Sequence, residues 1–196
     1  MVRQSRKIWL IRHGETEWTK SGQHTGRTEI PLTEHGRQRA QAVGRMLRDQ
    51  SFSLVLISPR QRAQDTARLA GLDAGAQIDD NLHEWDYGIY EGRTTADIQK
   101  EVPNWSIWDS PILEGETGDQ VAHRADRVIE RALKADGAVA LFAHGHILRV
   151  LAARWIGLDF KGGRLLALDT GSVSILGYEH STQVISQWNF VPSIEP

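Results

Sequence analysis

Lys7-Ile8-Trp9-Leu10-Ile11-Arg12-His13-Gly14 decides how the chain is read. Its apolar run is too short for a core helix and stops at a charged turn with glycine, the pattern of a fully buried strand ending in a turn. Two later stretches repeat the arrangement. Leu54-Val55-Leu56-Ile57 stops at Ser58-Pro59-Arg60-Gln61-Arg62, and Ala138-Val139-Ala140-Leu141-Phe142-Ala143 stops at His144-Gly145-His146. Strands apolar on both faces belong to a parallel sheet covered by helices.

The intervening sequence supplies those helices. Thr33 caps one reaching about Arg48, with Ala40, Val43 and Leu47 on one face. Pro59 suits the first turn of another, which runs to about Ala70 and stops at Gly71. A short helix starts at Thr94 after polar, glycine-containing loops. Thr117 or Asp119 opens a long one to about Ala135, closed by Gly137, and a last helix runs from the His144 turn to Gly157. Ser172 to Tyr178 and Val184 to Trp188 read as a hairpin around Glu179 to Gln183. The pattern predicts one domain over residues 1–196, a three-layer α/β/α sandwich with a mainly parallel central sheet.

Composition narrows the function. A formal net charge of -2 lacks the basic field that nucleic acid or an anionic membrane requires, so neither is expected as a partner. A small anionic metabolite needs only a local cluster of Arg and His. Without cysteine there is no disulfide, thiolate nucleophile or Cys-ligated metal. The expected location is the cytoplasm. Met1 to Lys7 is basic, but the apolar stretch behind it is too short for a secretory signal. Oligomeric state is not legible.

Ligands of parallel sheets bind beyond the carboxyl ends of the strands. The three turns therefore should bring Arg12, His13, Arg62 and His144 to one rim. Two guanidiniums and two imidazoles repel one another unless an anion joins them, and arginine forks match phosphoryl oxygens. Gly14 and Gly145 would let backbone N–H groups approach the same oxygens. Neutral imidazole is nucleophilic at pH 7, so His13 can accept the phosphoryl group directly. A leaving oxygen then needs a proton, and Glu84, among the apolar and aromatic residues of Leu82 to Gly88, suits a carboxyl held neutral.

Each of these residues has another reading. Arg62 fits an exposed helix position, and Glu84 a structural ion pair with Asp86 or Glu91 as the acid. His144 and His146 fit metal ligands, although no third histidine stands at ligand spacing. No metal or cofactor is expected. His24, His35, His83, His123 and His180 read as surface or supporting residues. Trp85, Trp105 and Trp108 fit either the core or a pocket wall.

The same residues carry a family resemblance. Leu10-Ile11-Arg12-His13-Gly14-Glu15-Thr16 resembles the signature of the histidine phosphatase superfamily, the phosphoglycerate mutase-like fold. Further pieces follow in the family's order: Gly26 to Gly36, Ser58 to Ala63 with Thr66-Ala67, Glu84 with Tyr87-Gly88 and Glu91-Gly92, Gly115-Glu116-Thr117, and Ala143-His144-Gly145-His146. The resemblance implies His13 as the phosphorylated nucleophile, Arg12, Arg62 and His144 as the phosphate pocket, and Glu84 as the proton donor. Thr19 stands where many relatives have Asn, which puts that phosphate contact in question.

Thr16 to Gly26, Glu84 to Gly88 and Trp105 to Trp108 are similar to the fungal sedoheptulose-1,7-bisphosphatase branch, and small actinobacterial acid phosphatases share the pattern. The implied function is hydrolysis of a small phosphorylated metabolite, with Thr19, Lys20, Ser21, Thr25, Gly26, Tyr87 and Gly145 binding substrate. The outer wall is expected from Lys20 to Arg27, Arg93 and the Trp105/Trp108 loop. A phosphoglycerate mutase and a non-catalytic phospholigand-binding protein are the alternatives. The segment between Glu84 and Glu116 is short and holds only Arg93 and Lys100 as basic residues, which favours hydrolysis over mutase chemistry.

Overall fold

The computed structural model describes residues 7–195. The basic opening on which the signal-peptide reading rests falls almost wholly at positions 1–6, outside them. In chain order the elements are β1 (Ile8–Arg12), α1 (Glu17–Ser21), α2 (Glu34–Leu47), β2 (Leu54–Ile57), α3 (Gln61–Leu69), β3 (Gln77–Ile78), α4 (Thr95–Glu101), α5 (Gly118–Leu133), β4 (Val139–Ala143), α6 (Gly145–Trp155), β5 (Val173–Glu179) and β6 (Thr182–Phe190).

All six strands form one sheet in the order β3-β2-β4-β1-β5-β6. The four strands from β3 to β1 are parallel, while β5 and β6 add an antiparallel margin. Period-two alternation sends Ile8 and Leu10 to one face and Trp9 and Ile11 to the other. On the first face they meet Val121, Ala125 and Val128 of α5 and Ile147, Leu148 and Leu151 of α6. On the second they meet Val43 and Leu47 of α2 and Ala63 and Ala67 of α3. Both faces are therefore covered, which is the expected α/β/α layering. Burying side chains such as Leu10 and Ile11 contributes about 1.5–3 kcal/mol each.

Helix starts follow threonine. Thr33 accepts from Gly36 N at 3.0 Å, Thr94 from Asp97 N at 3.1 Å and Thr117 from Gln120 N at 3.3 Å. Thr117, not Asp119, is thus the cap of α5, which stops two residues before the expected Ala135. Two elements depart from the sequence pattern. Helix α1 has no apolar stripe; it is held by a reciprocal cap between Thr16 and Thr19. Strand β3 has only two exposed residues, and its parallel pairing with β2 places it. The hairpin turns at His180-Ser181, where His180 takes a positive φ of 53°.

The parallel register puts Arg12 beside Ala143 and Ile57 beside Phe142. The residues that follow, His13, Ser58 and His144, consequently leave the sheet at the same edge. No helix among the described residues is long and apolar enough to cross a membrane.

Candidate active site

His13 is buried at the end of β1. Its Nδ1 lies 2.7 Å from the Gly14 carbonyl, which can only accept, so the neutral ring carries its proton on Nδ1 and its lone pair on Nε2. Burial holds the imidazole well below its usual range, and Arg62 and Arg12 push it further down. The ring of His144 stands 5.1 Å away at 62°. Its Nε2 is 2.7 Å from Ser58 Oγ, and its proton affinity too is lowered, first by burial and then by Arg62. Both rings are neutral at pH 7.

Arg62, on α3, is fully buried rather than exposed. Its terminal nitrogens donate to the carbonyls of Thr25, Gly26 and Thr28, fastening the loop after α1. Arg12 donates to the Leu168 carbonyl. Three buried nitrogens around His13 have no hydrogen-bond partner among the described residues: Arg12 Nε, Arg62 Nε and His144 Nδ1. An unmade buried hydrogen bond costs about 1–3 kcal/mol. Of the three residues Arg12 lines the open cleft at His13 and Arg62 and His144 do not, so the cradle they would form for an anion lies beneath it.

Glu84 borders this cradle. Its Oε1 accepts from Trp85 N at 2.9 Å and Ile147 N at 3.0 Å, and its Oε2 from His146 N at 3.0 Å. The carboxyl caps the first turn of α6, so its immediate surroundings are backbone donors rather than the apolar side chains expected from sequence. The other two acids are committed elsewhere. Asp86 pairs with Arg27 and accepts from Gly88 N, and Glu91 accepts from Gly26 N and Thr28 N. Glu84 alone of the three lines the His13 cleft.

That cleft holds about 600 Å³ of empty space out to its mouth. Of the expected substrate contacts, Thr19, Thr25, Tyr87 and Gly145 line it. Thr19 Oγ1 gives its one proton to the Thr16 carbonyl at 2.9 Å and accepts from Thr16 N, so its hydroxyl has no donor to spare for phosphate. A Cβ on Gly145 would sit 3.3 Å from the Arg12 guanidinium carbon, which the glycine leaves room for.

Other expectations are corrected. Lys20 is exposed on α1 and does not line the cleft. Ser21 faces outward, its hydroxyl 2.6 Å from Gln23 Oε1, to which it donates. Gly26 is buried, with its N–H on Glu91 and its carbonyl on Arg62. Arg27 lies on a separate cleft beyond Glu84, with Arg60, His83, Asp86 and Glu116. Arg93 is paired with Glu101 at 2.6 Å. Trp105 and Trp108 belong to the core behind the cleft, where Trp108 packs edge-on to Trp85.

Gly14 N–H donates to Thr66 Oγ1 at 3.0 Å and so does not reach the cradle. Close packing is what requires glycine there, since a Cβ would lie 2.3 Å from the Gly36 carbonyl oxygen. Gly14→Ala is expected to lower stability by about 3 kcal/mol, read as a fall in the denaturant midpoint. An unchanged midpoint would show that the two turns separate freely.

Gly22, Gln23 and His24 of the wall fall within the expected Lys20 to Arg27 segment, whereas sequence reasoning missed His146, Arg149 and Leu168 as wall residues. His24 reads from sequence as a surface or supporting residue, and His146 as one alternative for a metal ligand. Instead His24 stacks on Tyr87 at 4.7 Å, and burial lowers its pKa to about 4. His146 Nδ1 sits 2.7 Å from Tyr87 Oη while His144 faces Ser58, so the two rings have separate partners. Arg149 carried a legible signal. It stands four residues after Gly145, and such residues share a helix face.

Comparison with known proteins agrees with this geometry. Residues 8–191 match the family model described as Histidine phosphatase superfamily (branch 1), and the chain belongs to that family. It is 38% identical over 187 residues to an acid phosphatase of Mycobacterium tuberculosis, covering 93% of this chain and 92% of that one. It is 36% identical over 185 residues to the sedoheptulose 1,7-bisphosphatase of Saccharomyces cerevisiae, covering 78% and 68%. A solved structure of an open reading frame from Mycobacterium tuberculosis superposes with a TM-score of 0.90 at 38% identity, covering 95% of this chain and 98% of the other.

Proposed function

We propose that the chain is a metal-independent phosphomonoesterase that hydrolyses a small phosphorylated metabolite, a sugar phosphate or bisphosphate, through a phosphohistidine. The observation that carries this reading is the cradle of Arg12 Nε, Arg62 Nε and His144 Nδ1, unpartnered beside the free lone pair of His13 Nε2.

In the first step the Nε2 lone pair forms an N–P bond as the P–O bond to the leaving group breaks. Arg12, Arg62 and His144 meet the charge on the equatorial oxygens. Glu84 gives the leaving oxygen its proton. Three of the carboxyl's lone-pair directions already accept backbone N–H groups, two at Oε1 and one at Oε2, so Oε2 is the oxygen with a direction left for proton transfer. In the second step water attacks phosphorus, its proton passes to Glu84, and the N–P bond breaks to release inorganic phosphate.

The relatives named as an acid phosphatase and a sedoheptulose 1,7-bisphosphatase support hydrolysis of this substrate class. The test is phosphate release from aryl phosphate, sugar phosphates, sugar bisphosphates, 3-phosphoglycerate and phosphotyrosine peptide, each with and without a strong chelator. Release is expected to be unaffected by chelation and best with the sugar bisphosphates. Loss with EDTA and recovery with added metal would reassign the histidines as ligands. Conversion of 3-phosphoglycerate to its 2-isomer faster than its hydrolysis would make the protein a mutase.

A further inference from the structure

Arg149 lies one helical turn beyond Gly145, in the wall of the His13 cleft. It is rigidly mounted. Its Nε donates to the Gly163 carbonyl at 3.0 Å, and its guanidinium carbon lies over the Trp108 ring, 4.7 Å from the centroid. Such stacking orients a guanidinium while leaving its edge free. Its NH1 donates to no described residue. Most arginines nearby are already neutralised, Arg27 by Asp86, Arg93 by Glu101, Arg124 by Glu116 and Arg164 by Asp109. Arg149 is in no ion pair among the described residues; burial disfavours its charge, and the field of Glu84 favours it.

The charges of the cleft show what Arg149 is available for. A phosphoryl dianion is met by Arg12 and Arg62. The imidazoles of His24 and His146 are neutral, because burial lowers both. Glu84 is the acid of the wall, the proton donor of the proposed mechanism, and its oxygens accept from the α6 backbone. Arg149 is therefore a preorganised cation left over after the scissile group is bound.

Resting on the phosphatase reading, we infer that Arg149 binds a second anionic group of the same substrate, a carboxylate or a second phosphate. The substrate class is then a doubly anionic phosphomonoester. The carbon chain between its two anions lies along His24, Tyr87 and His146. Lys20 and Arg27, the cations that sequence assigned to this task, stand outside the cleft.

The experiment compares kcat/KM for a sugar bisphosphate, the corresponding monophosphate, 3-phosphoglycerate and an aryl phosphate, in the parent enzyme and in Arg149→Gln, Arg149→Lys and Lys20→Ala. The parent is expected to prefer a doubly anionic substrate over the monophosphate. In Arg149→Gln the ratio of doubly anionic to aryl substrate should fall roughly thirtyfold, mainly through KM, as expected for loss of a charge-assisted contact remote from the reacting bond. Arg149→Lys should recover part of the ratio, and Lys20→Ala should leave it within about twofold. Whether the bisphosphate or 3-phosphoglycerate ratio falls further identifies the second anion. A ratio unchanged in Arg149→Gln, or a parent without preference for two anions, overturns the inference while the phosphatase reading stands. A parent that hydrolyses none of these compounds, aryl phosphate included, overturns both.

Discussion

His13→Ala is expected to lower kcat/KM by roughly 10⁴-fold or more, the scale seen when a nucleophile is removed from a unit that acts together. The size follows from geometry. On the proposed mechanism the Nε2 lone pair is the nucleophile, and Arg12, Arg62 and His144 cannot themselves form a bond to phosphorus. Brief reaction of the parent with labelled substrate should leave label on His13 that is labile in acid and stable in base. Label on another residue, or a variant retaining a tenth of parent activity, would overturn the assignment. The pH profile supplies a second check. Burial first, then Arg62 and Arg12, lower the proton affinity of His13, so the lone pair persists as the pH falls below the ordinary histidine range. Corrected for the substrate's own ionisation near pH 6, the acid limb of kcat/KM should therefore lie below 6.5.

Glu84→Gln is expected to cost about 10³-fold with an alkyl phosphate and about tenfold with an aryl phosphate. An alkoxide needs its proton in the transition state, whereas an aryloxide leaves with little help. The part common to both substrates has a structural origin. Glutamine keeps one acceptor oxygen, so its amide would meet at least one backbone N–H of α6 donor to donor. Loss of such a cap costs on the order of 1 kcal/mol. The dependence on leaving group is consequently the informative quantity. Equal losses on both substrates would limit Glu84 to capping α6 and leave the proton donor unassigned.

The sheet and the inner half of the site were legible because they rest on local signals. A β-branched or leucine-rich run followed by a polar turn marks a strand end, and parallel topology does the rest. That argument gathers Arg12, His13, Arg62 and His144 on one rim from sequence. The outer wall rests on long-range contacts that no local pattern announces. Lys20 and Arg27 are cations in the right segment, but a short helix turns one outward and Asp86 holds the other on the far side of Glu84. Trp105 and Trp108 sit in loop-like sequence yet are packed among core side chains. Arg149 lay inside an apolar helix pattern, where an arginine reads as the solvent-facing residue. Helix α1 was missed because a hydroxyl-to-backbone cap, not an apolar stripe, holds it.

The cradle proposed from Arg12, Arg62 and His144 has a thermodynamic consequence beyond turnover. A tetrahedral oxyanion held there binds the native state alone. By mass action it adds about 2.7 kcal/mol to folding at a hundred times its dissociation constant. Inorganic phosphate, the product, is therefore also a ligand of the fold, and the protein resists unfolding best in the company of what it releases.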